Sequence, residues 1–443
     1  CLVGSEMCIR DRASTQLGNP LALIIAGGII ILLGLVPGMP SFIFLTLGIA
    51  AGLAGYFLSK SADKKIAEAA SDVSETIKEN DVNKEELNWD DVDQVDLVGL
   101  DIGYGLIPLV NPETGGQLLP RVKGVRKKLS AELGFLVQPI RIRDNLDLEP
   151  DVYNIVMNGV IRGKGEIKIG QELAINPGQV HGSLEGTPTK EPAFGLDAVW
   201  IDPAQRDYAR TLGYTVVDPA TAIATHLNTL LRNNASELIS HDETQQLLDK
   251  VAERSPKLVE DLVPEKLSLA TITKVLQNIL DESVSVRDMR TILEVLSTES
   301  SRTQDVEELT AAVRPKLGRM IVQGLVDVDD NLPVMTLNPA LEQMLNNILQ
   351  QSGSSQGLVI EPKLAESLIS ALAKNTREIE DQGSAAVLVV SPTLRPWLSK
   401  FIRHRLSDLT VLSYSEIPDD QAVDVVATLS LIHISEPTRQ PCI

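Results

Sequence analysis

The chain has 443 residues, 43% of them hydrophobic and 23% charged, enough apolar material for two or three ordinary domains with buried cores. Acidic side chains number 60 against 40 basic ones, and the net charge of −20 excludes a basic nucleic-acid footprint. Aromatics at 3% are too few for base-stacking platforms, and five His and three Cys leave little for a metal cluster.

The two ends do not fit their neighbours. DNA encoding residues 1–12 (CLVGSEMCIRDR) encodes LSLIHISEPTRQ on its complementary strand in another frame, and that run is residues 429–440. The pair looks like a sequencing-library adapter read through at both ends, so 1–12 and 429–443 are expected to be adapter-derived and are set aside. Cys1, Cys8 and Cys442 all lie in these tails, so the remainder offers no disulfide, thiolate nucleophile or Cys-ligated zinc.

Within 13–59, two apolar runs, 20–36 and 41–58, flank the turn signal Pro37-Gly38-Met39-Pro40. Each approaches the length that crosses a hydrocarbon core of roughly 30 Å, which predicts two transmembrane helices. Gly48 and Gly52 form a small-residue pair suited to helix packing in lipid. Lys60, Lys64 and Lys65 follow the second run and place that end in the cytoplasm. Residues 60–96 hold 12 acidic and 5 basic side chains and read as an acidic linker. In it, Trp89 either packs at the edge of the next domain or anchors a neighbouring subunit or partner.

Beyond the linker, strand and helix patterns alternate. Residues 95–110 read as strand, 121–135 as an amphipathic helix and 135–144 as strand. Residues 151–178 read as a hairpin turning at Gly163-Lys164-Gly165, followed by another strand. Strands at 198–203 and 215–219 follow, with a helix near 204–212 between them. Asp218 caps the next helix, with Pro219 in its first turn. Residues 219–325 read as almost wholly helical. Ser268 caps a helix with Ile272, Leu276, Ile279 and Leu280 on one face, Ser285 and Asp288 begin another, and Asp305 a third, which Pro315 should kink. From about 330 the pattern is α/β, with strands at 386–390, 409–414 and 423–428 and a helix starting at Ser391-Pro392.

No enzyme signature emerges. The Gly159 to Gly165 run lacks phosphate-loop spacing and lies in a hairpin. His181, His226, His241 and His404 are scattered and read as surface or helix residues, and Asp144 and Glu149 as turn formers. Two features point to binding. Phe194 sits in a Pro/Gly loop, Glu191-Pro-Ala-Phe194-Gly195, and either folds into its own core or lines a groove. Arg395, Lys400, Arg403 and Arg405 make a basic helix on an acidic chain, either a solvated face or a contact for an acidic partner.

Several runs together resemble one family: NPLALIIAGG with LVPGMP, WDDVDQVDLVGLDIGYGLIPLV, IRDNLDLEP, LAINPG, EPAFGLDAVWI, GYTVVDPATAIATHL, QQLLD, KLVEDLVPEKLSL, VSVRDMRTILEVL and VLSYSEIP. They are similar to the FlhA-type (FHIPEP) export-gate family of bacterial flagellar type III secretion, which is related to an export-gate protein of virulence injectisomes. The ATHL run at 224–227 favours the flagellar branch, with the injectisome homologue as the alternative.

The resemblance implies two transmembrane helices, the last of a multi-pass inner-membrane protein, followed by a multidomain α+β cytoplasmic region. That region would comprise a thioredoxin-like subdomain (97–169 and 219–238) holding a small inserted β-rich subdomain (170–218). An all-helical subdomain (239–318) and a C-terminal α/β subdomain (319–428) would follow. It further implies a non-enzymatic component without cofactor or metal, assembled as a nine-membered homo-oligomeric ring. The ring would dock flagellar chaperone–substrate complexes and help order their export, alongside other export-apparatus membrane proteins and the export ATPase complex. Export would be driven by proton motive force in the full protein. By matching motif positions, Glu191 (often Asp in the family), Phe194, Val217 and Thr225 should line the chaperone groove, and Trp89 should dock on a neighbouring subunit.

Overall fold

The computed structural model describes residues 95–111, 115–327, 330–352, 361–406 and 408–430. The two expected spans, the linker with Trp89, the first tail and residues 431–443 lie outside the described residues. No described helix is long and apolar enough to cross a membrane.

The first sheet contains β1 (Val98–Ile102), β2 (Arg141–Asp144), β3 (Val152–Met157) and β4 (Val160–Glu166), in the order β2-β1-β3-β4. β1 and β2 are parallel, and the other two pairings are antiparallel. The central strands β1 and β3 are almost wholly buried, whereas edge strands β2 and β4 are mostly exposed. The Leu118–Leu133 helix makes the crossover from β1 to β2, and the Pro219–Asn233 helix packs on it and on β4. Asp218 caps that second helix, as expected, accepting from the Thr221 N–H at 2.8 Å.

Three expectations here need correction, the first being the strand expected at 135–144, which is confined to Arg141–Asp144. Residues 104–110 do not continue the first strand but form a 3-10 turn (Tyr104–Leu106) and a short helix (Ile107–Val110). The chain leaves the sheet where Gly103 lies against Glu149; a Cβ there would sit 2.1 Å from its carbonyl oxygen. The β3–β4 hairpin turns at Asn158-Gly159, with φ of 50° and 77°, and not at Gly163-Lys164-Gly165, which lies within β4. Asn-Gly with both residues left-handed is the favoured two-residue hairpin turn, because its twist matches that of the strands.

Between β4 and the Pro219–Asn233 helix is a second sheet of β5 (Glu172–Ile175), β6 (Thr187–Lys190), β7 (Asp197–Ile201) and β8 (Thr215–Val217). Its order is β6-β7-β5-β8, antiparallel throughout, with a small core of Ala174, Ile201, Ala209 and Tyr214.

The helical region carries its signals locally. Ser268 caps Leu269–Asp281, and Asp305 caps Val306–Gln323. Asp288 alone caps Met289–Glu299, while the Ser285 hydroxyl donates to the Glu132 and Leu133 carbonyls at the end of the Leu118–Leu133 helix. In Leu269–Asp281 the residues Ile272, Val275, Leu276, Ile279 and Leu280 are buried at three- and four-residue spacing, each burial worth about 1.5–3 kcal/mol. Val306–Gln323 is one helix with Pro315 inside it.

The third sheet is all parallel, in the order β11-β10-β9-β12, from β9 (Leu332–Leu337), β10 (Val387–Val390), β11 (Thr410–Ser413) and β12 (Val423–Leu429). Every residue of β10 is buried, because each face of the sheet is covered. Val387 and Val389 face the core shared with the helical region, whereas Leu388 and Val390 face the sheet's own helices, Pro339–Ser352, Pro362–Glu380 and Arg395–Arg403. The last strand runs through Leu429, one residue past the expected boundary, and buries that side chain.

The basic helix is largely paired within the chain, and its solvated part is confined to Lys400 and Arg405. Three of its four cations, Arg395, Lys400 and Arg403, are met by carboxylates of this same chain, and Arg405 is exposed. Arg395 is buried and pairs with Glu282 and with Glu416, the latter at 3.5 Å. Arg403 reaches Asp281 at 3.1 Å, and Lys400 pairs with Glu307. Arg314, 1% exposed, completes the buried group, at 2.7 Å from Glu282 and 2.9 Å from Glu416. Two arginines and two glutamates thus balance at the junction of the helical region and the third sheet.

Candidate functional site

The turn joining β6 to β7 holds the Glu191 and Phe194 predicted from sequence. Glu191 N–H donates to Leu196 O at 2.8 Å, and Gly195 N–H donates back to Glu191 O at 2.9 Å. Gly195 takes a φ of +70°, which suits glycine. The Glu191 carboxylate folds under the turn and accepts from the Ala193 and Phe194 N–H groups at 2.9 and 2.7 Å. Glu191 is 2% exposed and Phe194 is 66% exposed. Phe194 is therefore not part of its own core: the turn is braced from below by a buried carboxylate and presents an aromatic ring to solvent. Other large apolar side chains are equally exposed, Leu146 and Val95 among them, so what sets Phe194 apart is the braced turn beneath it.

The Glu191 charge acts on two buried residues, Tyr153 and His226, the latter on a helix as expected but buried rather than at the surface. Tyr153 Oη lies 2.8 Å from His226 Nδ1, with the rings edge-to-face at 5.8 Å. Burial pushes the Tyr153 hydroxyl well above its ordinary value, and the Glu191 charge pushes it further in the same direction. Burial holds His226 below the ordinary imidazole value, with Glu191 pulling the other way. Glu191 thus acts electrostatically on a pair drawn from β3 and the Pro219–Asn233 helix. Gly163 and Gly165 make room for that pair. A Cβ at Gly163 would come within 2.8 Å of the His226 ring, and one at Gly165 within 2.6 Å of Tyr153 Oη. This accounts for the glycine-rich run. Two glycines two apart in a strand mark the close approach of another group, which was the signal available in the sequence.

Thr225, half-buried, neighbours His226 on the same helix. Val217, half-buried, ends β8 just before the Asp218 cap and packs against the main core. Arg121 fixes this corner by pairing with Asp218 at 2.6 Å. Val217 lies in the row Thr187–Trp200–Leu173–Val217, whereas the Phe194 turn lies beyond the pair Lys190–Asp197. Asp197, at the near end of that turn, is three residues along and two strands across from Val217, a backbone separation of about 14 Å from strand geometry. The predicted residues therefore do not converge on one point. Glu191, 2% exposed, lies under the turn and lines no surface itself, contrary to expectation. Trp89 lies outside the described residues.

Asp144 and Glu149 are exposed beside the turn at 145–147, where Asn145 Oδ1 accepts from the Asp147 N–H, as suits turn formers. Among the described residues no group of three His, Cys, Asp or Glu is placed to hold a metal ion.

The chain is 42% identical over 428 residues to the flagellar biosynthesis protein FlhA of Escherichia coli K12, covering 96% of this chain and 60% of the relative. It is 35% identical over 423 residues to FlhA of Bacillus subtilis 168, covering 95% and 62%. The chain thus spans about three fifths of the length of these relatives. Among solved structures, the fold is similar to CdsV of Chlamydia pneumoniae in its complex with CdsO. The TM-score is 0.67 at 23% identity, covering 77% of this chain and 99% of that one. It is similar also to the nonameric SctV-C of enteropathogenic E. coli, with TM-score 0.62 at 22% identity, covering 76% and 99%. The FHIPEP family matches residues 3–422, and the chain belongs to that family.

Proposed function

We propose that this chain is part of a flagellar type III export gate whose cytoplasmic body docks chaperone–substrate complexes and helps order their export. The observation that carries the proposal is Phe194, held out by a turn whose only carboxylate is buried beneath it. An exposed aromatic on a preorganised support is the usual form of a binding hot spot. In this reading Phe194 inserts into an apolar patch of the chaperone. Glu191 acts indirectly, by fixing the turn, and Val217 and Thr225 shape the surface beyond it.

The fold likeness to CdsV and to a nonameric SctV-C supports a ring of nine copies, and the complex of CdsV with CdsO supports binding of a further protein; in this reading those partners include the export ATPase complex and other export-apparatus membrane proteins. The β2-β1-β3-β4 order with two covering helices supports a thioredoxin-like subdomain at 97–169 and 219–238. The antiparallel β5–β8 sheet supports an inserted subdomain at 170–218. The helices from His241 to Gln323 support the helical subdomain, and the parallel sheet supports the C-terminal α/β one. Two apolar runs at 20–36 and 41–58 supply the anchor in the inner membrane, with this body on the cytoplasmic side. Trp89 docks on the next copy in the ring. The reading is non-enzymatic, and proton motive force drives export in the full protein. The flagellar relatives favour this over the injectisome reading.

Calorimetric titration with a flagellar filament-type chaperone loaded with its substrate tests the proposal. Phe194→Ala should weaken binding by about 2 kcal/mol or more, roughly thirtyfold, with an unchanged melting curve. Equal binding by both proteins overturns it.

A further inference from the structure

The docking role gives Tyr153 and His226 nothing to do, yet the fold leaves two positions without side chains to seat them. Tyr153 is fully buried, and among the described residues the only hydrogen-bond partner of its hydroxyl is His226 Nδ1, at 2.8 Å. A buried hydroxyl proton without an acceptor is costly, so Tyr153 donates and a neutral Nδ1 accepts. Gly163 closes the other side of the ring, where a Cβ would sit 2.8 Å from Nε2.

Protonation of His226 undoes this arrangement. An imidazolium carries two N–H donors and no acceptor, so the Tyr153 proton must find another oxygen. The surrounding charged groups leave one. Gly163 and Gly165 face the pair, so Arg162, Lys164 and Glu166 on the same strand point to the opposite face, where they are exposed. Glu237, just beyond the His226 helix, pairs with Arg162, and Glu172 on β5 pairs with Arg206. On the His226 helix itself, Asp218 caps the start and pairs with Arg121, and Arg232 pairs with Glu132. On the Leu118–Leu133 helix, Arg126 donates to the Val137 carbonyl, and Lys123, Lys127 and Lys128 are exposed. There remains the buried Glu191 carboxylate, whose charge reaches both Tyr153 and His226. Its oxygens accept from the Ala193 and Phe194 N–H groups. A positive charge and a redirected hydroxyl proton below it draw it away from those two amides, the bonds that hold Phe194 out.

We infer that Tyr153 and His226 position the Phe194 turn through Glu191, that the braced turn belongs to the neutral pair, and that protonating His226 loosens the brace and releases the docked partner. The release rests on the docking reading above; the positioning does not. Burial holds the imidazole below its ordinary value, so the brace is intact at neutral pH and is lost on acidification.

Two readouts test this on the full chain in non-ionic detergent, from about pH 7.5 to about one unit below the His226 pKa as read by NMR. The first needs no partner. Hydrogen–deuterium exchange at the Ala193 and Phe194 amides, corrected for its intrinsic pH dependence, should lose protection as His226 is protonated. Protection should persist in His226→Asn, whose Oδ1 accepts from Tyr153 and does not titrate. The second is calorimetric affinity for a substrate-loaded flagellar chaperone. It should fall by up to about tenfold per pH unit below that pKa, relative to His226→Asn, which shares any pH response of the chaperone. Tyr153→Phe removes the bond that favours the neutral imidazole and should move the midpoint of both profiles to higher pH. A role in packing alone would lower affinity without moving the midpoint. Protection that survives His226 protonation, equal loss in His226→Asn, or an unmoved midpoint in Tyr153→Phe would each overturn the positioning. Phe194-dependent binding with the same pH profile in the unsubstituted chain and His226→Asn would overturn the release and leave the docking reading standing. No binding at any pH would overturn the docking reading and the release together.

Discussion

Replacing Glu416 by Gln removes one of two carboxylates from the buried quartet and leaves Arg314 and Arg395 facing Glu282 alone. The geometry sets the magnitude. Glu416 is 3% exposed and accepts from Arg314 Nε at 3.2 Å and Nη2 at 2.9 Å. Its backbone lies directly on the Val306–Gln323 helix, where a Cβ at Gly318 would sit 2.1 Å from the Glu416 carbonyl, so the site cannot drift outward to hydrate. Breaking a buried pair in this way costs about 3–5 kcal/mol, because the remaining charge is uncompensated. Urea titration should show that loss for Glu416→Gln. Hydrogen exchange should accelerate first in the Arg395–Arg403 helix and β11, the elements that the quartet ties to the helical region. The double variant Arg314→Met/Glu416→Leu should cost less than Glu416→Gln alone, since apolar replacement removes both charges together. A cost below about 1 kcal/mol for Glu416→Gln, or strict additivity in the double variant, would refute the view that these four side chains act as one desolvated group.

Three further outcomes follow from the same structure. Burial raises the Glu282 pKa, but Arg314, Arg395 and Arg403 together outweigh it, so the net shift is downward. The group's contribution to stability should therefore be full above the ordinary carboxylate pKa and be lost as pH falls from there through its own lower value, and Glu282→Gln should flatten that part of a stability–pH curve. His226 should titrate below the ordinary imidazole value of about 6.5 by NMR, and stability should decline as pH falls from that value to its own. An unshifted His226 would contradict its burial against Tyr153. Gly163→Ala should destabilise by about 1–3 kcal/mol, because its Cβ meets the His226 ring and Leu230 at under 3 Å, whereas Gly124→Ala, with open space around it, should not.

What could be read from sequence was what neighbours along the chain decide. The caps Asp218, Ser268 and Asp305 act within four residues of their helices and were found where expected. So was the buried face of Leu269–Asp281. The hairpin turn was misplaced because Gly163-Lys164-Gly165 competed with the stronger Asn158-Gly159 signal, and the glycines answer a contact from elsewhere. That contact, Tyr153 to His226, joins residues 73 positions apart, beyond any local pattern. The basic helix failed for the same reason: its carboxylates stand at 281, 282, 307 and 416, and only the fold brings them together. The Phe194 loop was located correctly as a feature. Whether its ring faced inward or outward depended on the turn geometry under it.

The docking surface can be mapped by placing a photo-crosslinking amino acid at position 194, and in a second protein at position 208, where exposed Tyr208 lies on the short Arg206–Thr211 helix of the same inserted region. Illumination with a substrate-loaded flagellar chaperone should give a crosslink to the chaperone from position 194 and none from position 208. A crosslink from 208 alone, or from neither under saturating chaperone, would contradict docking at the Phe194 turn.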